Sequence, residues 1–92
     1  METKEMTQII LSDGLIRKYI YPHHWMSGSS TIVYPVSVWT ASKQIEIQVK
    51  PGAWRLRKRL KKIVETNPTA FKDAYFCKSD GSCPDTIRFC YI

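Results

Sequence analysis

The sequence predicts an α+β fold, a small antiparallel sheet packed against a basic amphipathic helix and a second short helix. Three observations lead there. "KQIEIQVK" alternates cleanly, the period then changes after Pro51-Gly52 to that of a helix, and "TIRFCYI" at the C-terminus alternates again. With 92 residues, 43% of them hydrophobic, the chain has enough apolar material for one modest core but not two, so residues 1–92 are read as a single domain.

Each element has its own justification. Thr7 to Tyr21 reads as two short strands around Ser12-Asp13-Gly14, because Ile16, Lys18 and Ile20 alternate with Arg17, Tyr19 and Tyr21. A helix beginning near Ser12 is the alternative, since Ser and Asp are both good N-caps. Pro22 ends this element and "HHWMSGSS" reads as loop. "TIVYPVSVWT" is β-branched and aromatic, and Pro35 inside it marks an edge strand or a bulge. In "KQIEIQVK", Ile45, Ile47 and Val49 share one face, with Gln44, Glu46 and Gln48 on the other.

Beyond Gly52, Ala53, Leu56, Leu60, Ile63 and Val64 fall on one helical stripe. Arg57, Lys58 and Lys61 lie opposite, Arg55, Arg59 and Lys62 flank the seam, and Trp54 falls off it. Thr66 and Asn67 stop this helix, because a residue before proline is pushed out of helical geometry. Asn67 then reads as the cap of a second helix, "PTAFKDAYFC", with Pro68 at its first position and Phe71, Ala74 and Tyr75 on one side. Ser79-Asp80-Gly81 makes a turn, and Ile87, Phe89 and Tyr91 form the inner face of the last strand.

The charge is concentrated in one place. Lys50, Arg55, Arg57, Lys58, Arg59, Lys61 and Lys62 are half of the 14 basic residues, with no acid among them, and the rest of the chain carries seven bases against 8 acids. The rest of the chain is thus nearly neutral, and the net charge of +6 comes from this one segment. So polarised a surface attracts anionic partners and makes their binding salt-sensitive. A solvated helix face is the plain alternative, weakened here because like charges at this density repel one another.

Motifs of catalysis are missing from the sequence. It has neither a phosphate-binding glycine loop nor a carboxylate cluster for magnesium, and His23 and His24 in "PHHW" lack an evident orienting partner for a Cys–His pair. Cys77, Cys83 and Cys90 are too widely spaced for the usual zinc ligand pairs, and Cys77 and Cys90 read as small buried hydrophobes. No enzyme activity, cofactor or metal is expected. The charged N-terminus "METKEMTQII" is unlike a signal peptide, and the longest apolar runs fall far short of the roughly 20 residues of a membrane span. The expectation is a chain of the reducing cytoplasm, without membrane contact.

Two kinds of partner fit these residues. In a nucleic-acid binder, the segment from Lys50 to Lys62 would contact the phosphate backbone; the outline of two helices is that of a helix-turn-helix, although Phe71, Tyr75 and Phe76 suit base reading poorly. In a protein-interaction module, Trp54, Arg55, Arg57, Lys58, Arg59, Lys61, Lys62, Phe71 and Tyr75 would form the contact surface, since arginine and aromatic side chains dominate interface energetics.

With its basic helix followed by Asn67-Pro68 in the element "VETNPTAF", the short basic chain resembles the anti-RecBCD accessory proteins of temperate lambdoid phages. Its second half carries the resemblance. The resemblance implies a protein of the bacterial host cytoplasm that binds the RecC subunit of the RecBCD helicase–nuclease, so that phage DNA ends are spared and phage recombination proceeds. It also implies Pro68 as a point of action for a host prolyl isomerase, with nucleic acid as a secondary contact.

The cysteine pattern yields the first testable expectation. Purified protein should hold free thiols and no zinc, measured by thiol titration and metal analysis; one tightly held zinc per chain would overturn this and couple metal binding to folding.

Overall fold

In the computed structural model, residues 2–20, 23–24, 32–33, 36–79, 81 and 84–92 are described, and of 23–24 and 32–33 the backbone alone. Trp25, Pro35, Asp80 and Cys83 lie outside them, and with them the expectations for the Pro35 interruption and the third cysteine. The elements run α1 (Thr3–Leu11), α2 (Gly14–Lys18), β1 (His23–His24), β2 (Ile32–Val33), β3 (Val36–Trp39), β4 (Gln44–Val49), a single 3₁₀ turn (Ala53–Leu56), α3 (Arg57–Thr66), β5 (Phe71–Cys77) and β6 (Asp85–Tyr91). The fold is α+β, as the sequence predicts. Four strands form an antiparallel sheet in the order β3-β4-β6-β5, and β1 pairs with β2 separately, His23 opposite Val33. His23 and His24 are therefore paired backbone, where the sequence reads as loop.

Alternation decides which face of the sheet is buried. Ile45, Ile47 and Val49 of β4 and Ile87, Phe89 and Tyr91 of β6 turn inward, with Ile45 opposite Phe89 and Ile47 opposite Ile87. They meet Met6 and Ile10 of α1, Ile16 of α2, and Leu56, Leu60 and Ile63 of the 3₁₀ turn and α3, in one continuous core. Because each strand shows alternate residues to opposite faces, Gln44, Glu46, Gln48, Arg88 and Cys90 are left on the far side. β3 stands at one end of this sheet, with β4 as its neighbour among the described residues.

Two elements differ from their sequence reading. Within Thr7 to Tyr21 the described residues form the end of α1 and all of α2, not a pair of strands, with the second helix starting where the Ser12-Asp13 alternative places it and Tyr21 lying outside the described residues. Ile16 and Ile20 are four apart, a spacing that suits both periods, and the capping decides between them. Asp13 Oδ1 accepts the N–H groups of Leu15 and Ile16, each at 3.0 Å, and so fixes the start of α2. Lys50 N–H then donates to Tyr19 C=O at 2.6 Å, and Ile20 bridges to Val49, tying the end of this helical pair to β4.

The second correction concerns residues 68–77, where the expected helix is strand β5. Asn67 closes α3 instead of opening a new helix: its Nδ2 donates to Ile63 C=O at 2.9 Å. A bulge lies between Phe71 and Asp73, so two residues there oppose Cys90 alone. That extra residue puts Phe71 and Ala74 on the same buried face at a spacing of three, which imitates a helical stripe. Phe71 is 2% exposed and its ring lies 5.1 Å from that of Phe89.

One ion pair reaches from the helical pair to α3. Asp13, 8% exposed, receives Arg59 Nε at its second oxygen while its first caps α2. Burial pushes the Asp13 carboxyl up, but the Ile16 N–H, the Arg59 hydrogen bond and charge, and the Leu15 N–H outweigh it and hold it below its ordinary 3.8. A depressed carboxyl stabilises the fold above its unfolded pKa, and that stabilisation is lost as pH falls through the lower folded value. Stability followed by denaturant unfolding should therefore decline below about pH 4, and Asp13→Asn, which keeps a capping oxygen, should lose about 1–2 kcal/mol at neutral pH and show a shallower acid decline. Equal acid sensitivity in the two proteins would place the titrating group elsewhere.

Candidate functional site

The basic segment is positioned by a turn that only glycine makes easily. Gly52 has φ +92°, a left-handed conformation that carries the chain from the end of β4 into the 3₁₀ turn. α3 continues it without a side-chain cap, and Ala53, Leu56, Leu60 and Ile63 are buried as the predicted stripe requires. Arg55, Arg57, Lys58, Arg59, Lys61 and Lys62 are all exposed. The predicted separation of apolar and cationic faces is present in the fold.

These cations differ in what holds them. The Arg55 guanidinium stands 5.4 Å from the ring centre of Trp54, a cation–π contact at an indole that is itself 53% exposed. Arg59 is tied to Asp13, so a residue the sequence assigns to partner contact also joins α3 to the helical pair, although its side chain remains 47% exposed. Arg59 and Lys62 border a shallow cavity of about 290 Å³ with Ile9, Ser12, Asp13 and Asn67. Arg57 and Lys61 face the other way, toward β5, and so flank the apolar stripe beside Leu60, where the sequence reading put them opposite it.

The aromatic residues expected beside them are separated by the strand geometry. Phe71 belongs to the core and presents no contact surface, which corrects its assignment as a partner residue. Tyr75 points to the far face of the sheet, in register with Arg88, and its hydroxyl accepts from Gln44 Nε2 at 3.4 Å. Beside it Arg88 Nε lies 3.1 Å from Glu46 Oε2, a cross-strand charge pair without hydrogen-bond alignment. The Arg88 guanidinium is held further toward its charged form, first by the Tyr75 hydroxyl, against burial, and then by the negative potential of its neighbours. Trp39, 54% exposed, lies on that same face at the other edge. Pro68 is exposed in the turn between α3 and β5.

Phe76 and Lys78 take the place beside α3 that the helical reading gave to Phe71 and Tyr75. Leu60 and Phe76 border the floor of a groove between α3 and β5, and Lys78 stands where this groove widens toward Trp54. The run of aromatic residues in "AYF" is the available signal, since it suits a strand as well as a helix. Cys77 and Cys90 are free thiols, half-buried on the far face rather than in the core. Among the described residues, no group of three or more His, Cys, Asp or Glu is placed to hold a metal ion, and no helix is long and apolar enough to cross a membrane.

No protein-family model, no curated protein and no solved structure matches the chain. The site is therefore read from its own chemistry.

Because Arg57, Lys58 and Lys61 are exposed, their replacement together by Gln should change stability by no more than about 0.5 kcal/mol per site, or raise it by relieving repulsion. Arg59→Gln should cost about 1 kcal/mol, because it leaves the buried Asp13 carboxylate without its cation. Thermal unfolding of the two variants compares them, and a triple variant less stable than Arg59→Gln would assign the fold-holding role to the wrong cations.

Proposed function

We propose that this chain is a non-enzymatic binding module that attaches to a large DNA-processing enzyme through the cationic side of the 3₁₀ turn and α3, and that its partner is the RecC subunit of RecBCD. One observation carries the binding reading: five of the six cations from Arg55 to Lys62 are spent neither on the core nor on an ion pair among the described residues. Exposed like charges on one helix cost stability, and an anionic partner surface relieves that cost. Trp54 adds an exposed aromatic anchor at one end, of the kind that contributes most to protein interfaces. The choice of RecBCD rests on the resemblance alone, as does the host cytoplasm as its place of action. On this reading the chain redirects or inhibits the helicase–nuclease so that phage DNA ends are spared. Exposed Pro68 is where a host prolyl isomerase would act.

Direct DNA binding is the second reading, supported by the same cations. It now rests on phosphate contacts by the basic segment alone, because β5 takes the place of the second helix that a helix-turn-helix needs.

Nuclease-treated co-purification with RecBCD, joined to a nuclease assay on linear duplex DNA, tests the proposal. The expected result is a stoichiometric complex, altered degradation of DNA ends, and binding weakened at least tenfold by the triple Gln replacement of Arg57, Lys58 and Lys61. Neither complex nor altered nuclease activity would remove RecBCD as the partner. A steep linear fall of log affinity for duplex DNA with log salt, together with loss of every protein partner after nuclease treatment, would favour the second reading.

A further inference from the structure

The groove between α3 and β5 has the makings of a strand-addition site. β5 is the terminal strand of the sheet, with β6 as its one neighbour among the described residues. A terminal strand presents backbone N–H and C=O groups along its outer edge, ready to pair with another extended chain. At one point this edge region is satisfied from within, where Ala74 N–H donates to Asp73 Oδ1 at 2.8 Å. The stretch Tyr75–Cys77 follows it.

Beside that stretch the surroundings become cationic. Arg57, Leu60 and Lys61 of α3 face Ala74, Tyr75 and Phe76 across a groove of about 210 Å³. Past Arg57 and Phe76 it opens into a cleft of about 450 Å³ reaching Trp54 and Lys78, with Asp85 as the acid on its border. An apolar floor, a cationic rim and a strand edge are thus brought together.

We propose that this groove binds an extended acidic segment of a partner protein, added as a further strand on β5. Backbone pairing with the edge supplies the register. Alternate side chains of the added segment face α3, where carboxylates meet Arg57 and Lys61, and the intervening ones continue the far face of the sheet beyond Tyr75. Charge selects an acidic segment; the strand edge selects an extended one. Duplex DNA satisfies the charge but cannot pair with the edge. This inference deepens the protein-binding reading above and rests on it for the kind of partner, though not for RecBCD.

The probe is a fluorescent ten-residue peptide alternating Glu and Thr, titrated into the full chain at low salt. Its companions are the same peptide N-methylated at every backbone amide, a Lys–Thr peptide, and a single-stranded oligothymidylate. The Glu–Thr peptide should bind saturably, with NMR shift changes centred on β5 and α3. N-methylation should weaken it at least tenfold, because it removes the donors that pair with the edge while leaving the charges. The Lys–Thr peptide should not bind, and joint replacement of Arg57 and Lys61 by Gln should weaken the Glu–Thr peptide about tenfold. Undiminished binding of the N-methylated peptide would overturn strand addition, as would failure of the Glu–Thr peptide to bind. Tighter binding of the oligothymidylate would reassign the groove to nucleic acid. Adding the Glu–Thr peptide in excess to a RecBCD co-purification separates the two proposals. A RecBCD complex formed by a chain that does not bind the Glu–Thr peptide sinks this site and leaves that partner standing. Peptide binding without any RecBCD complex does the reverse.

Discussion

A four-stranded sheet built from a chain this short can be covered on one face, and that constraint orders the rest of the molecule. Every apolar side chain that β4 and β6 alternate inward must be met by a helix, and the chain offers α1, α2, the 3₁₀ turn and α3 for the purpose. Burying those side chains, each worth about 1.5–3 kcal/mol, is the main favourable contribution to the fold. The opposite face is polar instead: Gln48 on β4 is exposed, Gln44 and Glu46 beside it are partly so, and Arg88 on β6 is paired with Glu46 across the strands.

The same constraint accounts for the placement of charge. The 3₁₀ turn and α3 reach the core by one narrow stripe, Leu56, Leu60 and Ile63, so their cations are turned outward in a block. Arg59 is the exception that matters for folding. It lies at the seam, close enough to meet a carboxylate whose other oxygen caps α2, and so a single acidic side chain joins α2 to α3. Arg57 and Lys61, on the other flank, meet no such acid among the described residues and border the groove over β5 instead. Two flanks of one basic helix thereby acquire different duties: one holds the fold and the other faces outward with its charge unspent.

The groove itself is a product of packing, because α3 lies chiefly over β5 and β5 is the end of the sheet. A helix over a central strand would have left no strand edge beside its cations. The bulge near Lys72 contributes as well. By inserting one residue it lets Phe71 and Ala74 share the buried face and sends Phe76 to the floor of the groove, with Tyr75 opposite. Without it, Phe71 would alternate to the face that carries Tyr75, and the tilted pair it makes with Phe89 would be lost.

Much of this was legible in the residues alone. Alternation in 44–49 and 85–91, the glycine turn at Gly52, and the apolar stripe of 53–64 each follow from a local period or a local backbone preference, so they survive into the tertiary structure, the stripe with its first turn wound as 3₁₀ and Val64 partly buried. The exposure of the cations follows from the same stripe. What the sequence left open were the segments whose spacing fits two periods at once. Ile16 and Ile20 suit strand and helix equally, and the ion pair of Asp13 with Arg59, 46 residues away along the chain, accompanies the helical outcome. Phe71 and Ala74 imitate a helix because a bulge has shifted the alternation, and a bulge is recognised only against the strand it pairs with. The sequence by itself therefore determined the fold class, the sheet's inner face and where the charge would gather. Tertiary structure decided which cation serves the fold, which aromatic residue faces the groove and which strand ends the sheet, because each depends on a neighbour that no local pattern can name.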